Sequence, residues 1–279
     1  MSADVELGMK LLRAALGGSV TRNVASRVEL AERIVFDAFD EAGGHYIVKV
    51  DSDWRRISDE VDAMRYVRTV VPAPEFVAAD ETSLAYRYVD GTPLTEVNDA
   101  DAWRNAGETL AKLHALPADC PEEHRLNWGA HFLGGALEET TRIGSLLTET
   151  QRQRFVDYFT GGLAGLQLDV CVSLHGDCQA EHVIIDAAGG VAALLDFADF
   201  GCGDALVDLC ALTAWHPHQL NAVLDGYQPS AQLLARVDRY RHAYWARRHL
   251  GVARWRAEQN LPYHDALNAA LKFATPDPS

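Results

Sequence analysis

Residues 173 to 186, Ser-Leu-His-Gly-Asp-Cys-Gln-Ala-Glu-His-Val-Ile-Ile-Asp, set His175, Asp177, Glu181, His182 and Asp186 into otherwise apolar sequence. Ionisable groups in such a setting are costly unless they are paired or put to use. After them come a turn, Ala187-Ala-Gly-Gly190, and a second apolar run, Val191 to Phe197, which contains Asp196. If 182–186 and 191–197 are the arms of a hairpin centred near 188–189, residue 182 faces about residue 195 and Asp196 lies one step away. Asp177 enters beside the same open end. Two carboxylates and an imidazole converging there suit a divalent metal and a general base, whereas any one of them alone has the ordinary reading of a hydrogen-bonded core residue.

The rest of the chain tells what could carry that hairpin. Arg27–Leu30, Arg33–Phe39 and His45–Val50 alternate as strands do, and Glu41-Ala-Gly-Gly44 has the chemistry of a hairpin turn between the last two. The period then changes: Ile57, Val61, Met64 and Val67 mark a helix face, which Val70-Val-Pro-Ala-Pro74 ends. Two short strands, Glu75–Ala78 and Ser83–Val89, follow. Past Gly91 and Pro93 the pattern is mostly helical, with Trp103, Ala106, Leu110, Leu113 and His114 on one face and Asp99 and Asp101 near its start. The expected architecture is therefore α+β and two-lobed: residues 1–90 an antiparallel sheet with a helix, residues 91–279 a larger, mainly helical lobe. The tail from Thr275 is expected to fray.

Composition bounds the partners. A formal net charge of −15 argues against nucleic acid. No run of about 18 apolar residues is present, and the acidic start Met-Ser-Ala-Asp-Val-Glu is unlike a signal peptide. The cysteines at 120, 171, 178, 202 and 210 are odd in number, scattered and without a C-x-x-C, which suggests neither a disulfide framework nor a zinc knuckle. The expectation is a cytoplasmic protein with no membrane partner, acting as a monomer or homodimer.

The runs His175-Gly-Asp177-x-x-x-x-His182-Val-Ile-Ile-Asp186, Leu195-Asp196-Phe197-x-Asp199 and Gly203-Asp204-x-x-x-Asp208-Leu together resemble the C-lobe signature of the aminoglycoside and macrolide phosphotransferases, antibiotic kinases with a protein-kinase-like fold. Gly107 to Pro117 is similar to that family's pillar helix and Leu84 to Leu94 to its hinge, so the resemblance covers roughly residues 20 to 225. It implies transfer of the γ-phosphate of ATP or GTP to a hydroxyl of a small antibiotic or related polar metabolite. Asp177 would be the catalytic base, His182 and Asp196 the Mg²⁺ ligands, Lys49 the phosphate-binding lysine with Glu60 as its partner, and Tyr88 a nucleotide contact on the hinge.

Several positions carry two readings. His182 departs from the commoner Asn and leans towards the macrolide branch; imidazole can ligate a divalent ion, though Mg²⁺ prefers oxygen. Glu60 lies between Asp59 and Asp62, so a solvated acidic face stands beside its pairing with Lys49. The Gly-rich loop of protein kinases is missing, and Gly17-Gly18 lies too far before the first strand to replace it. His175 reads as a structural residue under the catalytic loop, Asp204 and Asp208 as braces near a helix start, and Asp199 as a brace or a substrate contact. His216-Pro-His218 reads as surface rather than metal site. Of Trp215, Tyr227, Tyr240, Tyr244, Trp245, Trp255 and Tyr263, most read as core, while an acidic cleft would favour a cationic acceptor. Two other functions fit the same residues: a nucleotide-binding protein of this fold that does not transfer phosphate, and a metal-dependent hydrolase using His175, Asp177 and His182.

Overall fold

The computed structural model describes residues 3–30 and 33–275. In chain order its helices and strands are α1 (Ala3–Leu16), β1 (Val20–Glu29), β2 (Arg33–Asp40), β3 (His45–Asp51), α2 (Trp54–Val67), β4 (Phe76–Ala79), β5 (Ser83–Arg87), β6 (Thr92–Pro93), α3 (Ala100–His114), α4 (Glu122–Leu126), α5 (Trp128–Arg142), α6 (Glu149–Gly162), β7 (Val172–Leu174), β8 (Val183–Ile185), β9 (Val191–Leu194), β10 (Gly201–Gly203), α7 (Leu206–Thr213), α8 (Leu220–Tyr227), α9 (Ala231–Glu258) and α10 (His264–Phe273). The fold is the mixed α+β arrangement expected from the sequence, strands leading in the first part and helices in the rest.

The first five strands form one antiparallel sheet in the order β1-β2-β3-β5-β4. Successive strand side chains point to opposite faces, and β3 is buried on both: Val48 and Val50 pack with Val5, Met9 and Leu12 of α1, while Lys49 reaches α2 on the other face. Helix α1 was not anticipated. Its apolar residues Val5, Leu7, Met9 and Leu11 fall at every second position, which hides the helical period in sequence, and it is held by the sheet it covers. The first strand also begins earlier than expected, at Val20 rather than Arg27. The expected frayed tail lies, from residue 276 onward, outside the described residues.

Helix α2 buries Ile57, Val61, Met64 and Val67, the face read from the sequence, and Asp53 caps its start by accepting from the Arg55 amide at 3.0 Å. Helix α3 is the pillar, with Trp103, Ala106, Leu110, Leu113 and His114 all buried. It crosses α8 at backbone contact: a Cβ on Gly107 would lie 2.1 Å from the Val223 carbonyl oxygen, and one on Gly226 1.9 Å from that of Arg104. Only glycine permits this approach, which sets Tyr227 against His114 with Oη and Nδ1 2.9 Å apart.

Two small sheets hold the polar hairpin. β6, β8 and β9 form one and β7 pairs with β10 in the other. Val183 faces Leu194, and the Leu195 amide donates to the His182 carbonyl at 2.8 Å, so residue 182 does lie opposite 195. The β9 strand is tied to the N-terminal half through the Leu194 amide on the Pro72 carbonyl, 2.9 Å.

One expectation is corrected outright. Cys120 and Cys171 form a disulfide, with Sγ atoms 2.08 Å apart. Their 51-residue separation gave no pattern in sequence because the contact is tertiary: the loop after α3 folds back on the start of β7, where Ser173 Oγ donates to the carbonyls of Leu116 at 3.3 Å and Pro117 at 3.0 Å.

Candidate active site

Between β3, α2 and the β8–β9 hairpin, the Lys49 ammonium meets two carboxylates. Its Nζ donates to Glu60 Oε2 at 2.5 Å and to Asp196 Oδ1 at 2.7 Å. Lys49 and Glu60 are almost wholly buried, at 3% and 1% exposure, so the solvated reading of Glu60 does not hold. Burial alone would push the lysine towards neutrality, but the charges of Glu60 and Asp196 outweigh it and raise its pKa above the ordinary value. Burial likewise opposes ionisation of Asp196; Lys49, His182 and Arg33 overcome that and hold its carboxyl well below the usual range. Asp196 adopts a left-handed backbone, φ 63°, an uncommon state for a residue with a side chain and one that recurs at functional sites.

The catalytic loop candidate is built on β7. His175 is fully buried, its Nε2 lies 2.9 Å from the Leu195 carbonyl oxygen, and Nδ1 faces the Asp177 amide at 3.4 Å. A carbonyl can only accept, so Nε2 carries the proton, and burial keeps the ring neutral by lowering its pKa. Gly176 follows with φ +85°; a Cβ there would sit 1.9 Å from the Asp199 carbonyl oxygen, so glycine is required both by conformation and by space. Asp208, fully buried, accepts from the His175 amide at 2.7 Å and the Gly176 amide at 3.0 Å, and its Oδ2 lies 3.0 Å from His114 Nε2. Burial would raise its pKa, but the hydrogen bonds from His114 and from the His175 amide bring it below the ordinary value. The loop is thus pinned from beneath by an ionised carboxylate on α7.

Asp177 emerges from that support half-buried. Its Oδ1 accepts from Arg248 of α9, and Oδ2 faces Gln179 Nε2 at 3.4 Å. His182 Nδ1 lies 2.9 Å from the Asp177 carbonyl oxygen, so Nδ1 donates there and Nε2 is the ring atom left to face a ligand. The His182 imidazole and the Asp196 carboxylate, near enough for their charges to interact, make a mixed nitrogen and oxygen donor set that fits a divalent cation.

The remaining sequence candidates fall elsewhere. Tyr88 is not brought to Lys49: it lies at the far end of the sheet, its amide on the His45 carbonyl at 3.0 Å and its ring stacked on His45 at 4.0 Å. His45 and Lys49 are four strand steps apart on β3, roughly 13 Å. Asp204 accepts from the Leu206 amide at 3.1 Å, from Tyr244 Oη at 2.6 Å and from Arg236, a brace at the start of α7. Asp199 is exposed. Tyr240, Tyr244 and Trp245 are core, whereas Trp215 and Trp255 are exposed.

Two cations escaped sequence reasoning. Arg248 lies 71 residues beyond Asp177 in a long helix with several arginines, and nothing local distinguishes it. Arg33, opposite Asp51 in the β2–β3 ladder, donates to Asp51 Oδ2 at 2.8 Å and adds positive charge beside Asp196. A charged residue directly across from a carboxylate on the Lys49 strand was the signal that could have found it.

With this geometry in place, the comparisons decide the family. The model of the phosphotransferase enzyme family matches residues 35–250. The chain belongs to that family. It is a phosphotransferase whose fold recurs in solved antibiotic kinases. A macrolide 2'-phosphotransferase type I is 17% identical with TM-score 0.67, covering 98% of this chain and 97% of that one. The streptomycin–ATP ternary complex of APH(2")-IIa is also 17% identical, at TM-score 0.69 and the same coverages. The macrolide 2'-phosphotransferase MphH from Brachybacterium faecium is 19% identical, at TM-score 0.64, covering 96% of this chain and 98% of that one. No curated protein sequence matches the chain. No helix among the described residues of the phosphotransferase is long and apolar enough to cross a membrane.

Proposed function

We propose that this phosphotransferase moves the γ-phosphate of ATP or GTP to a hydroxyl group of an antibiotic of the aminoglycoside or macrolide kind. The observation that carries the reading is the pairing of Lys49 with both Glu60 and Asp196 in one buried cluster, beside a half-buried Asp177 on a loop braced by Asp208. Phosphoryl transfer asks chiefly for position and charge. Lys49, fixed by two carboxylates, is placed to hold nucleotide phosphates; the base and sugar would extend along β3 and β5 towards Tyr88, in a cleft between lobes at 1–90 and 91–279. Asp177 accepts the proton as the acceptor oxygen bonds to the γ-phosphorus and the bond to the leaving β-phosphate oxygen breaks. His182 Nε2 and Asp196 would hold Mg²⁺, whose chemistry there is neutralisation of phosphate charge. Arg248 keeps Asp177 in one rotamer before the acceptor arrives.

The solved relatives support this choice because their complexes contain streptomycin with ATP or ADP with hygromycin B. The test is transfer of labelled γ-phosphate from ATP and GTP, with Mg²⁺, to a panel of aminoglycosides and macrolides. Labelled product from one class identifies the acceptor. Nucleotide binding without transfer to any member contradicts the antibiotic reading.

A further inference from the structure

Away from the Lys49 and Asp177 cluster, one surface gathers cysteines and an imidazole that phosphoryl transfer does not use. Cys120 ends the loop after α3, His124 lies in α4, Cys171 immediately precedes β7 and Cys202 is the middle residue of β10. The Sγ atoms of Cys120 and Cys202 and a ring nitrogen of His124 all lie within 4.8 Å of one another, and Cys171 Sγ is bonded to that of Cys120. Local folding explains the convergence. Cys202 stands opposite Ser173 in the β7–β10 ladder, so Cys171, two residues before Ser173, is diagonal to Cys202 on the same face. Ser173 Oγ holds the Leu116 and Pro117 carbonyls over that face, Tyr66 Oη donates to Pro117 as well at 3.0 Å, and Cys120 follows. Helix α4 starts two residues later, and its first turn brings His124 back to the same place. Its ring is set by contacts with Trp128 and His131, each with centroids 5.2 Å away.

We propose that Cys120, His124, Cys171 and Cys202 form a structural zinc site when the disulfide is reduced. A disulfide needs two of these residues; the other two supply the third sulfur and the nitrogen of a closed Cys₃His set. Across a tetrahedral zinc with Zn–S near 2.3 Å, ligand atoms stand roughly 3.8 Å apart, so closing the cluster takes only small side-chain shifts. Loading begins when a dithiol gives two electrons and two protons to the Cys120–Cys171 bond, becoming a disulfide itself and leaving two thiols. Zn²⁺ then displaces three thiol protons, from Cys120, Cys171 and Cys202, and takes the neutral His124 nitrogen. The site joins the α3–α4 loop, the strand that leads into His175-Gly-Asp177 and the strand that leaves Asp199, so either the disulfide or the metal clamps the base of the catalytic loop.

The test uses the whole chain, reduced with a phosphine and freed of reductant, with Zn²⁺ or Co²⁺ added and unbound metal removed. The expected result is one zinc retained per chain, and with Co²⁺ the intense visible bands and thiolate charge-transfer absorption of a tetrahedral sulfur-rich site. Cys202→Ser should lose the tetrahedral spectrum, His124→Ala should weaken zinc by at least about tenfold, and Cys210→Ser, a buried cysteine outside the cluster, should bind as wild type. Failure of the reduced wild type to retain zinc, an octahedral Co²⁺ spectrum, equal binding by Cys202→Ser, or equal uptake by the unreduced protein would each overturn the proposal. The spectrum of the unmutated chain separates the two outcomes even if a variant fails to fold.

Discussion

Removing Lys49 and Glu60 singly and together should reveal a strongly non-additive pair. The two side chains are 4% and 2% exposed with Nζ and Oε2 2.5 Å apart, and Lys49 has a second partner in Asp196 at 2.7 Å. Lys49→Met removes both charge-assisted hydrogen bonds and leaves two carboxylates without their cation, which should destabilise the fold by about 3–5 kcal/mol. Glu60→Gln leaves Lys49 paired with Asp196 and should cost about 1.5–3 kcal/mol, the value of one hydrogen bond to a charged group. In the Lys49→Met background, Glu60 is already relieved of its charge, because burial and the neighbouring Asp196 push its carboxyl towards protonation once the lysine is gone. The double variant should therefore resemble Lys49→Met alone, with a coupling of about 1.5–3 kcal/mol between the substitutions. Urea unfolding followed by tryptophan fluorescence measures all four proteins, and an unchanged m value shows that the same transition is compared. Additivity within about 0.5 kcal/mol would refute the buried ion pair.

Other outcomes follow from the same geometry. His249 is 1% exposed, donates from Nε2 to the Ala214 carbonyl at 2.9 Å, and burial lowers its pKa to about 4; because the unfolded chain takes up the proton first, stability should fall as pH drops from about 7 towards 4, by about 2 kcal/mol between pH 7.5 and 5, and His249→Gln should flatten that slope in paired denaturation curves, an identical slope counting against it. Gly176→Ala combines a left-handed backbone, costing about 1–2 kcal/mol, with a Cβ 1.9 Å from the Asp199 carbonyl oxygen, so melting should drop by several degrees while turnover falls further; full turnover would show that the loop position does not matter. Arg248→Gln frees Asp177 from its only guanidinium among the described residues and should lower kcat by up to about 10²-fold with nucleotide affinity unchanged, whereas weakened nucleotide binding would relocate its role.

The sheet, the α2 face and the pillar helix were legible because their apolar periods are regular: Ile57, Val61, Met64 and Val67, or Trp103, Ala106, Leu110 and Leu113, sit at helical spacing and are buried. The hairpin could be aligned from its turn alone, and residue 182 does face 195. What escaped was decided by distant packing. Helix α1 acquires its role from Val48 and Val50 across the sheet, Arg248 meets Asp177 through the path of α9, and Cys120 meets Cys171 because Ser173 draws the α3 loop inward. Tyr88 lies on the segment between β5 and β6 where the resemblance put it, and its stacking on His45 depends on how the β2–β3 turn ends beside β5.

The central claim is that Asp177 accepts a proton from an acceptor hydroxyl while the Lys49 cluster holds the nucleotide. It is tested most directly by measuring nucleotide affinity calorimetrically and γ-phosphate transfer in single turnovers, on wild type and Asp177→Asn side by side. The account predicts equal nucleotide affinity and a loss of transfer of at least about 10²-fold, the typical worth of a positioned general base. Transfer at the wild-type rate by Asp177→Asn would contradict it.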